Sequence, residues 1–234
     1  MIVLGITTSD ECCGIAIRRD GATIASDSFS GSRVCVEQLI PRIDKLLTGG
    51  GLSLGDIDRF GMDAGPGGLT GIKIALATVK TLAQVIGKPV ATVSSMRAMC
   101  IRAAREYKDT DTFLPIVSCT KVEIFTSIYR RTPEREVEID EAERLNDEAG
   151  LRELLKGLET SQRILFFGSA AERMRGAVEE ILGDRAAFAA TEFNRPDAAI
   201  VCEAAETAGA GPYNEARPNY LCLTQAERNL GIKA

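Results

Sequence analysis

The sequence predicts an α/β protein built from two similar halves, each with a mixed β-sheet covered by helices. Strand and helix patterns follow in the order β-β-β-α-β-α-β-α up to residue 107, and a β-β-β-α-β-α order begins again at residue 108. The composition is 45% hydrophobic and 26% charged, which is typical of a globular protein with a buried core. We therefore expect two subdomains, residues 1–107 and 108–234.

The first half opens with three predicted strands, at residues 2–7, 14–18 and 22–28. Asp20-Gly21 stands between the last two, and this dipeptide is typical of a tight hairpin. The spacing of apolar residues then predicts a helix over residues 34–47. Its apolar stripe consists of Val36, Leu39, Ile40, Ile43, Leu46 and Leu47. Pro41 lies inside this helix and costs ~3 kcal/mol unless the lost hydrogen bond is tolerated there.

The remaining elements follow from apolar runs bounded by glycine and proline. In the first half we predict a strand at 59–62, a helix at 70–86, a strand at 90–93 and a helix at 95–107. In the second half the predicted strands are 113–119, 123–130, 137–139 and 164–167, and the predicted helices are 146–158, 171–182 and 197–208. The charged stretch 132–152 mixes signs, which is typical of a solvated edge, loop and helix face. Residues 211–220 form a tail before a polar end that we expect to be loosely held.

The residue counts exclude several classes of function. The chain has no histidine, which excludes Ser-His-Asp and Cys-His catalysis and histidine-ligated metal sites. Its seven cysteines include no CxxC pair, so we predict small apolar side chains and no disulfide framework. The net charge is −5 with basic residues interspersed, which argues against autonomous binding of nucleic acid. We find no apolar run long enough for a bilayer and no signal peptide, and expect a cytoplasmic protein.

The glycine-rich segment 65–71 has two interpretations. Backbone N–H groups of such a strand–loop–helix unit can bind phosphate. The candidates for this contact are Gly65, Gly67, Gly68, Thr70 and Gly71. The segment lacks the spacing and the lysine of a P-loop. Alternatively it is a tight turn that packs the helix on the sheet, with Thr70 as its N-cap.

Hydroxyl and carboxylate side chains end two of the predicted strands. Thr7, Thr8, Ser9 and Asp10 follow the first strand, and Asp63 follows the fourth. Such groups serve phosphate or Mg²⁺ in some proteins. They are also ordinary turn and cap residues. Two acids in this pattern do not by themselves indicate catalysis.

The helix predicted at 70–86 has two uncharged faces. One face should pack on its own sheet: Ile72, Ala75, Leu76, Val79, Leu82, Ala83 and Ile86. The second face consists of Ile74, Ala77, Thr78, Thr81 and Val85, with Lys73 beside it. Because loss of charge marks the cores of interfaces, we predict that this second face binds another chain. The alternative is that it covers a neighbouring part of the same domain.

These features together resemble the TsaB (YeaZ) family. The resemblance rests on Thr7-Thr8-Ser9, the Asp20-Gly21 hairpin, the helix with Pro41, the segment from Gly65 to Lys73, and Gly87-Lys88-Pro89 with Val93-Ser94. It covers residues 1–107 well and the second half loosely. It implies an actin-like ATPase fold, related to ribonuclease H, and a role in forming N6-threonylcarbamoyladenosine at position 37 of tRNAs that read codons beginning with A.

The resemblance implies a non-catalytic scaffold and no catalytic or metal-binding residue in this chain. Its partners would be a TsaD-type catalytic subunit, paired through helices 34–47 and 70–86, a TsaE-type ATPase, and a second copy of itself. It would meet tRNA, ATP or ADP and Mg²⁺ only through the complex. Thr7 stands where relatives have aspartate, and Ser118–Lys121 and Cys222 also depart from the family pattern. The alternatives are a self-contained ATPase or small-molecule kinase of the actin-like superfamily, and a metalloprotease, which the absence of histidine nearly excludes.

Overall fold

A computed structural model describes residues 1–158 and 162–222, with only the backbone of residues 32–34. The chain divides into two compact units. The first unit is Met1–Arg102 with Arg195–Pro218, and the second is Ala103–Asn194 with Asn219–Ala234. The predicted division at residue 107 therefore needs correction, because the chain returns to the first unit after residue 194. The polar end beyond Cys222 lies outside the described residues.

The first unit contains a five-stranded mixed sheet in the order β3-β2-β1-β4-β5. Its strands are β1 (Ile2–Thr7), β2 (Cys12–Arg19), β3 (Ala22–Ser30), β4 (Arg59–Asp63) and β5 (Val90–Val93). Strands β1, β4 and β5 are parallel, whereas β2 and β3 are antiparallel to their neighbours. Its helices are α1 (Ser32–Gly49), α2 (Leu69–Ile86) and, after the chain has returned, α6 (Ala198–Thr207).

The second unit repeats this plan with a sheet in the order β10-β9-β6-β7-β8. Its strands are β6 (Thr112–Ser118), β7 (Ile124–Arg131), β8 (Val137–Asn146), β9 (Ile164–Phe167) and β10 (Ala186–Phe188). Its helices are α4 (Glu148–Lys156) and α5 (Ala171–Leu182). Helix α3 (Ser95–Glu106) contains the boundary between the units. The predicted duplication with mixed sheets is therefore confirmed.

Helices α1 and α2 cover one side of the first sheet and lie next to each other. Helix α1 buries Leu39, Ile43 and Leu47, but Val36 is 60% exposed and Ile40 is 49% exposed. The predicted apolar stripe of α1 is therefore wider than the surface that it buries. The helix continues through Pro41, which is exposed, so that water can hydrate the carbonyl group that loses its N–H donor.

Helix α2 buries its predicted core face and begins one residue earlier than predicted. Ile72, Ala75, Val79 and Ala83 are buried against the sheet. The N-cap is Gly68, so the prediction of Thr70 as cap is wrong. Within the described residues, α2 is the one helix whose length and composition would allow it to cross a membrane, which corrects the expectation that no run is long enough. A core helix of a globular protein also passes that test, and α2 has such a buried face.

Cysteine chemistry differs from the prediction at one position in the first unit. Cys13 of β2 and Cys35 in the first turn of α1 form a disulfide, and both are buried. The odd count and the lack of a CxxC motif did not indicate this bond. The sequence separation of 22 residues shows why, since the two cysteines meet only through the packing of α1 on β2.

Cys202 of α6 is the small apolar residue that the sequence predicts. Its thiol lies between β1 and β2, with its sulfur 3.2 Å from the carbonyl oxygen of Ala16. Burial raises the pKa of this thiol to about 12 from an ordinary value of 9.0. Because the pKa of Cys202 is higher in the folded protein than in the unfolded chain, the folded protein holds this proton more tightly. The contribution of the thiol to the free energy of unfolding is therefore complete below about pH 9 and is lost as the pH rises towards 12.

We expect Cys202 to resist alkylation at pH 8 while the protein is folded, because reagents attack the thiolate and need access to it. The half-exposed Cys12 should react under the same conditions and serves as the control. Peptide mapping by mass spectrometry after brief treatment with iodoacetamide measures both. Equal modification of the two cysteines in native protein would contradict the buried position of Cys202.

Candidate functional site

The parallel strands of the first sheet bring polar side chains to a common edge. Ile6 of β1 is paired with Met62 of β4, and Asp63 of β4 is paired with Val93 of β5. Thr7 follows Ile6 and Asp63 follows Met62, so both side chains lie at the carboxyl ends of their strands. Ser95, at the start of α3 just after β5, joins them. The cluster is fully buried at its centre, since Asp63 is 0% exposed.

Four donors surround the carboxylate of Asp63. The hydroxyl groups of Thr7 and Ser9 both donate to Oδ2 at 2.5 Å. The backbone N–H of Gly65 donates to Oδ1 at 3.0 Å, and the Ser95 hydroxyl donates to the same oxygen. A carboxylate has about four lone-pair positions for hydrogen bonds. All four are used within the protein.

This arrangement limits the chemistry that Asp63 can perform. A carboxylate that binds Mg²⁺ must direct an oxygen lone pair at the ion, and a general base must reach its substrate. The buried Asp63 has both oxygens committed to hydroxyl and N–H donors from β1, α3 and its own loop. Its evident role is to hold three segments together at the strand ends. Within residues 1–158 and 162–222, no group of three Asp, Glu or Cys side chains is arranged to hold a metal ion.

We expect Asp63→Asn to destabilise the protein by ~2–4 kcal/mol, since the amide nitrogen would face donors and leave a buried polar group unsatisfied. Urea unfolding followed by circular dichroism measures this change. Asp44→Asn makes the same substitution at an exposed position of α1 and should change stability by less than ~0.5 kcal/mol. Equal stability of both variants would show that the donors do not converge on Asp63.

The glycine-rich loop packs against the turn after β1. A Cβ atom at Gly67 would lie 2.4 Å from the Ser9 carbonyl oxygen, and one at Gly71 would lie 1.8 Å from that of Thr8. The N–H of Gly68 donates to the Ser9 carbonyl at 2.6 Å, and the Thr8 hydroxyl donates to the Gly71 carbonyl at 2.7 Å. The geometry favours the interpretation as a tight turn.

The five candidates for phosphate contact do not all lie in one environment. Gly65 is buried, Gly67 and Gly71 are half-buried, and Gly68 and Thr70 are exposed. The N–H groups of Gly65 and Gly68 already have acceptors in Asp63 and Ser9. Phosphate contact by this loop stays a prediction.

The second face of α2 is accessible in this chain. Val85 is 72% exposed, Ala77 and Thr81 are exposed, and Ile74 and Thr78 are half-buried. The Thr81 hydroxyl donates to the Ala77 carbonyl at 2.8 Å, which satisfies its polar group within the helix. Lys73 is exposed beside this face. None of the five residues on this face of the helix is charged.

Helix α1 adds to this apolar surface. The sequence placed Val36 and Ile40 in one apolar stripe with the buried Leu39, Ile43 and Leu47, yet both are largely exposed. Since α1 and α2 are neighbours, the exposed apolar residues of the two helices belong to one side of the first unit. We call Val36, Ile40, Ile74, Ala77, Thr78, Thr81 and Val85 the apolar helix surface. The sequence signal for this part of the surface is the number of apolar residues in the stripe of α1. Six are more than the helix buries.

Comparisons with known proteins agree on one family. The family model described as TsaD, tRNA N6-adenosine threonylcarbamoyltransferase, matches residues 30–220. The tRNA threonylcarbamoyladenosine biosynthesis protein TsaB of Bacillus subtilis is 25% identical over 235 residues, which cover 97% of this chain and 96% of that protein. TsaB of Escherichia coli is 29% identical over 131 residues, 56% of each chain.

A solved structure supports the fold. YeaZ from Pseudomonas aeruginosa superposes with a TM-score of 0.79 at 22% identity, covering 94% of this chain and 99% of that one. The predicted fold, with two mixed five-stranded sheets flanked by helices, is therefore confirmed, and this chain shares it with YeaZ.

Proposed function

Because this chain belongs to the family of tRNA N6-adenosine threonylcarbamoyltransferases and, within it, to the TsaB (YeaZ) group, we propose that it is a non-catalytic scaffold subunit of the complex that modifies tRNA. The complex would form N6-threonylcarbamoyladenosine at position 37 of tRNAs that read codons beginning with A. The subunit would pair with a TsaD-type catalytic protein. We place this complex in the cytoplasm.

The observation that carries the pairing is the apolar helix surface. Val85, Val36 and Ile40 are 72%, 60% and 49% exposed, and the surface has no charged member. Exposed apolar patches rimmed by polar residues are typical of surfaces that bind protein. The exposed Lys73 and Gln84 lie beside the patch on α2 and would form part of such a rim. The same side of the molecule also supports self-association of the isolated subunit.

The environment of Asp63 supports a scaffold over the alternative of an independent ATPase or kinase. Such an enzyme needs carboxylates that hold Mg²⁺ beside the phosphates. Here Thr7 ends β1, and its hydroxyl donates to Asp63, whose oxygens are both engaged. ATP or ADP, Mg²⁺ and tRNA would then reach this subunit only through the complex, which would also include a TsaE-type ATPase.

The proposal is tested by reconstitution with purified components. A TsaD-type protein should co-elute with this chain in gel filtration. Modification of tRNA, measured by mass spectrometry of its nucleosides, should fall at least tenfold when this chain is omitted. The chain alone should not hydrolyse ATP above a buffer control. Full modification of tRNA without this chain, or hydrolysis of ATP by the chain alone above the buffer control, would contradict the proposal.

A further inference from the structure

Two cysteine thiols of the second unit lie side by side. The sulfur atoms of Cys119 and Cys222 are 3.6 Å apart, and both residues are half-buried. Cys119 follows β6 at the turn into β7, whereas Cys222 is 103 positions further along the chain. Neither forms a disulfide in this structure. A distance of 3.6 Å is less than 2 Å longer than the S–S bond of about 2.05 Å.

Separate contacts hold each cysteine in place. On one side, the N–H groups of Cys119 and Thr120 both donate to the Glu123 carbonyl at 3.1 Å, which fixes the β6–β7 turn. Arg173 of α5 donates to the Thr120 carbonyl at 3.0 Å. The turn is therefore tied to the body of the second unit and keeps the Cys119 thiol at a defined position.

The tail is anchored three residues before Cys222. The side-chain amide of Asn219 donates to one carboxylate oxygen of Glu143. The other carboxylate oxygen of Glu143 accepts a hydrogen bond from the Tyr129 hydroxyl at 2.6 Å. Tyr129 is a buried residue of β7. This anchor brings the tail onto the second unit and sets the approach of Cys222 to Cys119.

We propose that Cys119 and Cys222 form a reversible dithiol–disulfide pair that ties the C-terminal segment to the β6–β7 turn when it is oxidised. The oxidant is a low-molecular-weight disulfide such as oxidised glutathione. One protein thiolate attacks this disulfide and releases one glutathione thiol. The second protein thiolate then attacks the protein sulfur of the mixed disulfide and releases the second glutathione thiol. The protein loses two electrons and two protons, and two glutathione molecules gain them.

The other cysteines do not share this arrangement. Cys13 and Cys35 are already joined and buried, Cys100 and Cys202 are buried, and the half-exposed Cys12 lies in the first unit. Half-exposed thiols in contact are the ones that exchange with small disulfides, because both access and a resolving partner are required. The inference rests on the second unit alone and is independent of the proposed function.

The full-length protein is equilibrated in glutathione buffers of increasing oxidation, trapped with N-ethylmaleimide and mapped by non-reducing mass spectrometry. We expect a peptide pair joined through Cys119 and Cys222 in oxidising buffer, and two alkylated thiols in reducing buffer. The oxidised form should melt roughly 5–10 °C higher, since the bond closes a loop of about 100 residues. Cys119 and Cys222 carrying only separate glutathione adducts, or staying alkylated throughout, would overturn the proposal.

Two variants separate pair formation from general oxidation. Cys222→Ser should abolish the joined peptide and leave Cys119 as a glutathione adduct, with an unchanged melting temperature in reducing buffer. Cys12→Ser removes a thiol of similar exposure in the first unit and should leave the joined peptide intact. Loss of the joined peptide in Cys12→Ser would show that the oxidation is not confined to Cys119 and Cys222 and would also overturn the proposal.

Discussion

Gly71→Ala is expected to destabilise the protein by roughly 3 kcal/mol or more, because an added methyl group would overpack a site that has no space. The new Cβ atom would lie 1.8 Å from the carbonyl oxygen of Thr8 and 2.9 Å from its carbonyl carbon. Both obstacles are backbone atoms of the turn after β1, so no side-chain rotation relieves the clash. The start of α2 would have to move away from the sheet, which would also break the hydrogen bond from Thr8 to Gly71.

Urea unfolding of purified variants measures this effect, and Gly176→Ala is the matched control. Gly176 is an exposed glycine inside α5, and a Cβ atom there meets nothing within 4 Å. Alanine at that position should stabilise the protein by ~0.5–1 kcal/mol, because glycine has the lower helix propensity. The same substitution in two helices therefore has opposite expected signs. Stabilisation in both would show that α2 does not approach Thr8 as closely as described.

Local patterns predicted most of the elements because those elements have strong periodicity. Strands β1 and β5 and helix α5 begin and end as expected from apolar runs and helical spacing. Strand β8 was predicted to end at residue 139 but continues to Asn146. Its charged residues disfavour a strand locally, yet they suit an edge strand that only β7 pairs with. The three-residue strand β10 carries too little signal to be predicted.

The interior of the candidate site could be predicted only in part. The sequence placed Thr7, Ser9 and Asp63 at neighbouring strand ends, where they were candidates for phosphate or Mg²⁺. It could not show that the two hydroxyls donate to the carboxylate, since that depends on the β1–β4 register over 56 residues of separation. Ser95 was missed for the same reason. Periodicity locates residues on elements, whereas hydrogen bonds between elements depend on how those elements pack in three dimensions.

The uncharged face of α2 was easier to predict because it depends on one helix alone. Residues at a fixed angular position can be read from the sequence once the helix is known. The disulfide between Cys13 and Cys35 shows the opposite case, since it needs the position of α1 on β2. The predicted surface thus has a local origin, and single substitutions can test it without disturbing the core.

Val85→Glu is expected to weaken binding of a TsaD-type partner more than 100-fold. Val85 is 72% exposed in this chain, so the substitution should leave the fold unchanged. In a complex the carboxylate would be buried without a partner, which costs ~3 kcal/mol or more. Ala77→Arg, at another exposed position of the same face, should have a similar effect. Isothermal titration calorimetry with the purified partner gives the affinities, and circular dichroism verifies the fold of each variant.

Gln84→Glu is the matched control, because it adds the same negative charge to the same helix one residue away. Gln84 is exposed at the rim of the apolar helix surface, about 100° around the helix from Val85. Its affinity should stay within about threefold of the unmodified protein, as expected for a charge at the rim. If Val85→Glu and Gln84→Glu bind equally tightly, α2 does not present this face to the partner. If both lose binding, the added negative charge rather than burial of Val85 controls the association.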